Sequence, residues 1–252
     1  MALSYNYHTH TPRCNHALGT EREYVEKAIE AGIKTLGFSD HAPYLFPNGY
    51  SSPHRMLPSE LFDYAKSILA LKKEYEKDIR ILCGFELEYY PKYHEKEMQF
   101  LKQVNPDFIL MGQHFTNNEI DGVYAYNNTE FSLESYVDQT LEGLATGDFL
   151  YLAHPDLVGA AFPKALALKE QRRLCEGAKK MGIPLEINLL GICTNRAYPS
   201  RAFFEIAADV GNDIVLGTDA HSPDAILDHL SQEKAMQMVK DLGLRLITEP
   251  IL

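Results

Sequence analysis

Short apolar runs alternate with longer stretches of helical period along the whole chain. The first run, "LSYNYHTH", precedes Thr20-Glu21-Arg22-Glu23, a capping-box pattern that predicts a helix to about Ala31. "KTLGFSDH" is followed by a helix from about Ser59, with Leu61, Tyr64, Ala65, Ile68 and Tyr75 at spacings of three and four. "DIRILCGFELEYY" leads to the helical "YHEKEMQFLKQV", and "DFILMGQH" to a loop and then a helix from about Leu133 to Ala145. "DFLYLAH" precedes a helix from about Pro163 to Met181, and "PLEINLL" one starting near Pro199, a residue suited to a first helical turn. "DIVLGTDAHS" precedes Pro223 and a last helix to about Leu242, after which "LRLI" adds a short strand.

Seven such units in tandem, with fully apolar strands, predict an α/β fold. Its parallel sheet closes into a TIM-like (β/α)7 barrel, in one domain spanning residues 1–252. An open doubly wound sheet would want a glycine-rich phosphate loop after the first strand, and "RCNHALGT" is not one. The apolar runs are too short to span a bilayer, and "MALSYNYHTH" lacks the basic and apolar regions of a secretory signal. Four scattered cysteines without a CxxC spacing read as reduced thiols, so a cytoplasmic protein is expected. Cys14 stands apart, two residues before His16, where a thiolate would suit zinc. A net charge of −11 disfavours a long nucleic acid as partner.

The strand ends carry the chemistry. In "YNYHTHT" His8 and His10 are two apart, which in a strand directs both rings to one face. Asp40 and His41 close the second run, Glu86 the third, His114 the fourth, His154 the fifth, and Asp219 and His221 the seventh. In a barrel these C-terminal edges converge on the face where active sites sit. Six of the ten histidines lie at these edges, and His16 follows one loop turn after the first. His54 falls in a loop, and His94 and His229 in predicted helices; these three read as solvated or packed.

Taken one at a time, each edge residue is a hydrogen-bonded polar group at a strand end. Nine together are not, because unpaired buried polar groups cost about 1–3 kcal/mol each. His8, His10, His16, His41, Glu86, His114, His154, Asp219 and His221 also exceed the four or so ligands one zinc ion takes. Two or three divalent ions follow, with Glu86 the natural bridge, and zinc, manganese and iron all suit these donors.

The motifs "HTHT", "CNHA", "GFSDHAPY", "GFELEY", "GQHF", "YLAHPDL", "LEIN" and "GTDAHSP", in this order, resemble the polymerase-and-histidinol-phosphatase (PHP) superfamily. "SDHAP" and "LEIN…NRAYPS" resemble its monofunctional histidinol-phosphate phosphatases. The resemblance covers nearly the whole chain. It implies an irregular seven-stranded barrel with a trinuclear metal centre. One ion would take His8, His10, Glu86 and Asp219; a second Glu86, His114 and His154; a third His16, His41 and His221. Either Asp40 or His41 supplies a ligand, with His41 preferred and Asp40 left to orient a neighbour.

Such a cage suits hydrolysis of a phosphate ester, and three dications would take the net charge from −11 to −11 + 6 = −5. A small dianionic monoester fits an acidic chain with a locally positive site. L-Histidinol phosphate, with its own cationic groups, is the expected substrate. Nucleotides or short oligonucleotides are the alternative within the same superfamily. Arg196, in "CTNRAYPS", is placed to clamp phosphate oxygens, and Arg55, in "SSPHRMLPSE", to reach over the site. The long Tyr- and Pro-rich stretch from Ala42 to Pro58 reads as a substrate lid.

Overall fold

Most strands and helices fall where the periodicity places them. The computed structural model describes residues 3–126, 132–158 and 162–252. In chain order the first half holds β1 (Tyr5–Asn6), α1 (Glu21–Glu30), β2 (Thr35–Phe38), α2 (Leu61–Glu74), β3 (Arg80–Leu87), α3 (His94–Leu101) and β4 (Phe108–Met111). A hairpin of β5 (Phe115–Thr116) and β6 (Val123–Tyr124) follows, then α4 (Leu133–Leu144) and α5 (Lys164–Met181). The last part holds β7 (Leu185–Asn188), α6 (Leu189–Cys193), α7 (Arg201–Val210), β8 (Asp213–Gly217), α8 (His229–Leu242) and β9 (Arg245–Leu246).

Local chemistry sets the helix ends. Thr20 Oγ1 accepts from the Glu23 N–H at 3.3 Å while the Glu23 carboxylate accepts from the Thr20 N–H at 2.6 Å, the reciprocal cap read from the sequence. Pro199 does not open α7. Ser200 caps it instead, its hydroxyl accepting from the Phe203 N–H at 3.3 Å. The hairpin and the short α6 were not foreseen, because runs of two to five residues carry no readable period.

β1, β2, β3 and β4 pair in that order, all parallel, and β7, β8 and β9 form a second parallel set. The fold is therefore α/β on a parallel-strand half-barrel. The strand expected in "DFLYLAH" forms no ladder. Leu152 alone bridges Met111 and Leu185, since the chain turns immediately afterwards at Ala153–Asp156.

Strand alternation separates two cores. Ile81, Cys83, Phe85 and Leu87 of β3 point outward into the large cluster under the helices. Inward-facing Leu82, Phe108, Leu110, Tyr151 and Val215 pack with Tyr5 and Tyr7 into a separate apolar plug. Each such buried side chain contributes about 1.5–3 kcal/mol. On β3 the inward stripe runs Leu82, Gly84, Glu86, so it turns from apolar to ionised at the strand's C-terminal end. There the chemistry begins.

Candidate metal centre

Six elements deliver side chains to one point. His8 and His10 follow β1, His41 follows β2, His114 follows β4, His154 follows the Leu152 bridge, and Asp219 and His221 follow β8. Glu86 lies at their centre, 1% exposed. Its Oε1 is 3.0 Å from His154 Nε2, and its Oε2 is 3.1 Å from His41 Nδ1. The same Oε2 lies 3.5 Å from His10 Nε2 and 3.6 Å from His8 Nε2. Asp219 Oδ1 stands 3.1 Å from His10 Nε2 and 3.5 Å from His8 Nε2. The His221 ring stacks on His10 at 4.1 Å and on His16 at 4.8 Å.

These donors fit metal ions. His8 Nε2, His10 Nε2 and Glu86 Oε2 are buried and have no hydrogen-bond partner among the described residues. Neutral imidazole and carboxylate would face each other lone pair to lone pair, an arrangement a dication relieves. Close ligand groups form from His8, His10 and Asp219, from His8, Glu86 and His154, and from His10, His41 and His221. Cys14 with His16 and His221 makes another, and Cys14 with His10 and Asp40 a further one. His114 joins none of these; its ring centroid is 4.9 Å from that of His154 and 5.7 Å from that of His41.

The backbone is adapted to the cluster. His154 (φ 29°) and Asp219 (φ 49°) adopt left-handed conformations that cost a side-chain-bearing residue about 1–3 kcal/mol, a strain typical of functional sites. Two glycines make room for carboxylates. A Cβ at Gly112 would lie 1.7 Å from Glu86 Oε1, and one at Gly217 would lie 1.7 Å from Glu186 Oε1.

The protonation balance follows from burial set against charge. Burial pushes the His8 imidazole down, but Glu186, Asp219 and Glu86 outweigh it and hold its pKa well above the usual value. His10 behaves likewise, with Asp219 and Asp40 overcoming burial. Burial keeps His41 well below the ordinary imidazole range and lowers His221 to about 4, so both are neutral, the form that ligates. Burial works to raise Glu86, yet the imidazoles around it, His8 among them, hold it well below the usual carboxylate range.

The cluster opens into a cavity of about 580 Å³, lined in part by Glu88, Glu119, Tyr124, Arg196 and Tyr198. Arg196 gives one N–H to Tyr198 Oη at 2.6 Å. Arg55 is also on the wall, but Glu119 takes its Nε and Glu88 its Nη2, both at 2.7 Å. Asp40 is buried behind His10, its Oδ1 3.4 Å from His10 Nδ1 and accepting from the His41 N–H at 2.8 Å. His54, expected to be merely solvated or packed, is exposed yet lines the cavity, its ring edge-on to His16 at 6.0 Å. His94 packs against Asp148 at 2.8 Å, and His229 is exposed.

Sequence reading passed over Glu88 and Glu186. Glu186 Oε1 lies 2.8 Å from His8 Nδ1, and its Oε2 accepts from Asn188 Nδ2 at 2.9 Å. A lone ionised residue inside the apolar "PLEINLL" was the available signal. For Glu88 it was the period of two shared with Glu86 in "GFELEY".

Fold and site together define an α/β protein with a cluster of metal-type ligands at the C-terminal ends of parallel strands. The chain belongs to the PHP domain family, which matches residues 6–189. It is 29% identical over 258 residues to a probable histidinol-phosphatase from Deinococcus radiodurans, covering 96% of this chain and 94% of that protein. A histidinol-phosphatase from Lactococcus lactis is 25% identical over 259 residues, covering 96% of this chain and 91% of that protein. The crystal structure of the histidinol phosphate phosphatase from Lactococcus lactis, complexed with zinc, L-histidinol and phosphate, superposes with a TM-score of 0.74. It is 22% identical, over 97% of this chain and 95% of that one, a likeness of fold. No described helix is long and apolar enough to cross a membrane.

Proposed function

We propose that the protein is a metal-dependent phosphatase hydrolysing L-histidinol phosphate to L-histidinol and phosphate. The observation that carries this reading is the set of unpartnered His8, His10 and Glu86 atoms beside the cavity. It occurs in a chain whose relatives of matching length include a histidinol-phosphatase and a probable one.

His8, His10, Glu86 and Asp219 would hold one divalent ion, Glu86 and His154 with His114 a second, and His16, His41 and His221 a third. Zinc, manganese and iron all suit this set. When bound, such ions supply Lewis acidity toward phosphoryl oxygens and acidify water at neutral pH. Glu86 would contribute to two of these sites, its negative charge offsetting the repulsion between neighbouring dications. Asp40 and Glu186 orient His10 and His8 through their Nδ1 atoms. Arg196 holds the phosphoryl oxygens with the donors that Tyr198 leaves free. Glu88 and Glu119 outnumber Arg55 on the wall, which favours the cationic end of an amino-alcohol phosphate over a nucleotide. In the same reading the strands close into a seven-membered ring, supported by the single bridges at Leu152 and between Thr9 and Ala220.

Steady-state kinetics on L-histidinol phosphate against nucleoside monophosphates, with metal content measured, tests the proposal. Two to three equivalents of metal, the highest kcat/KM on histidinol phosphate and loss of activity on chelation are expected. Equal or better turnover of nucleotides would transfer the reading to a nucleotide phosphoesterase. Undiminished activity after metal stripping would remove the metal chemistry.

A further inference from the structure

His114 stands outside the close ligand groups of the other cage imidazoles, yet it too is backed by a carboxylate. Its Nδ1 is 3.0 Å from Glu88 Oε1, and that same oxygen receives Arg55 Nη2 at 2.7 Å. Tyr90 donates its hydroxyl to the other oxygen, Glu88 Oε2. Glu88 is 2% exposed and Arg55 3% exposed, so solvent does not compete for these bonds. Arg55 spends its Nε on Glu119, beside the β5–β6 turn, at 2.7 Å. One guanidinium from the 42–58 loop therefore ties that loop to the end of β3 and to the hairpin.

We infer that Glu88, held by Arg55, is the positioning residue that presents His114 to a metal ion. The inference rests on the reading of His114 as a ligand. An ionised carboxylate only accepts, so a neutral His114 bonded to it must carry its proton on Nδ1. Nε2 then keeps its lone pair, the form a metal requires. Arg55 and Tyr90, one on each oxygen, fix the carboxylate plane and hence the ring's rotation. Without Glu88 nothing on this contact selects the tautomer or holds the ring's rotation. This is the carboxylate–histidine–metal relay, whose loss costs about 10–100-fold in metal affinity. Arg55 thus acts on the ligand through Glu88.

The test compares wild type with His114→Asn, Glu88→Ala, Glu88→Gln and Arg55→Lys. Zinc is titrated against a chromophoric chelator, and the imidazole nitrogens of the metal-free protein are observed by 15N NMR. His114 signals are assigned by their loss in His114→Asn. Wild-type His114 is expected as the Nδ1–H tautomer, which Glu88→Ala loses. His114→Asn and Glu88→Ala should each weaken one zinc equivalent by about 10–100-fold. Glu88→Gln, whose amide oxygen still accepts, and Arg55→Lys, which keeps charge but not the fork, should fall between. Should Glu88→Ala fail to fold, the isosteric Glu88→Gln decides by the same two readouts. If a Glu88 variant binds zinc as wild type does and keeps the tautomer while His114→Asn does not bind normally, the positioning role is overturned. If His114→Asn itself binds zinc normally, the ligand reading falls and this inference with it.

Discussion

Replacing Gly112 with alanine adds one methyl group next to the bridging carboxylate. The new Cβ would lie 1.7 Å from Glu86 Oε1, 2.5 Å from its Cδ and 2.7 Å from its Cγ. Ordinary contact begins at about 3.4 Å, so the carboxylate must retreat by roughly 1.7 Å. A retreat of this size breaks the hydrogen bond to His154 at 3.0 Å and the contact to His41 at 3.1 Å. A hydrogen bond to an ionised group is worth about 1.5–3 kcal/mol, and overpacking adds about 1–3 kcal/mol. The low ends sum to about 2.5 kcal/mol, which is the expected loss because partial retreat suffices. For a chain of this size that lowers Tm by roughly 5–10 °C. Calorimetry in the presence of chelator measures it apart from metal binding. Metal content and kcat/KM should fall in the same preparation. The cause is isolated by repeating the substitution in Glu86→Ala, where the obstructing oxygen is absent. There Gly112→Ala should cost little. An equal loss in both backgrounds would refute the steric argument.

Two further outcomes follow from other parts of the molecule. Arg196→Met should lower kcat/KM by roughly 2–4 kcal/mol of transition-state stabilisation, with Arg196→Lys recovering only part. Metal content should be unchanged, and a wild-type kcat/KM in the Met variant would show that Arg196 does not touch the phosphoryl group. Glu97 lies under the 42–58 loop, its Oε2 accepting from the Leu45 N–H at 3.2 Å and its Oε1 unpartnered. Burial raises its pKa from 4.5 to about 8, so across that interval the folded chain holds a proton the unfolded chain has released. Stability should therefore fall as pH rises through this window, and Glu97→Gln should abolish that part of the dependence. Parallel Tm–pH curves for the two proteins between about pH 5 and 8 would contradict the assignment.

Much of this molecule is legible in one dimension. Helix positions come from apolar spacing, since each helix must bury one stripe, and the Thr20 cap needs only residues three apart. The grouping of His8, His10, Glu86 and Asp219 was readable because parallel strands bring their C-terminal ends to one face, so a residue's place in its run predicts its neighbours. What could not be read is whatever depends on partners distant in sequence. Arg55 carried no local sign of partners, yet Glu88 and Glu119, 33 and 64 residues away, take its Nη2 and Nε, while Nη1 has no partner among the described residues. Glu186 lies in β7, and its task shows only where His8, 178 residues away, meets it at 2.8 Å. Gly112 and Gly217 carry no local mark of their task, because the space they leave belongs to carboxylates on other strands. Side-chain type and strand end depend on local pattern and follow from sequence; which nitrogen faces which oxygen depends on long-range packing, and only the tertiary structure decides it.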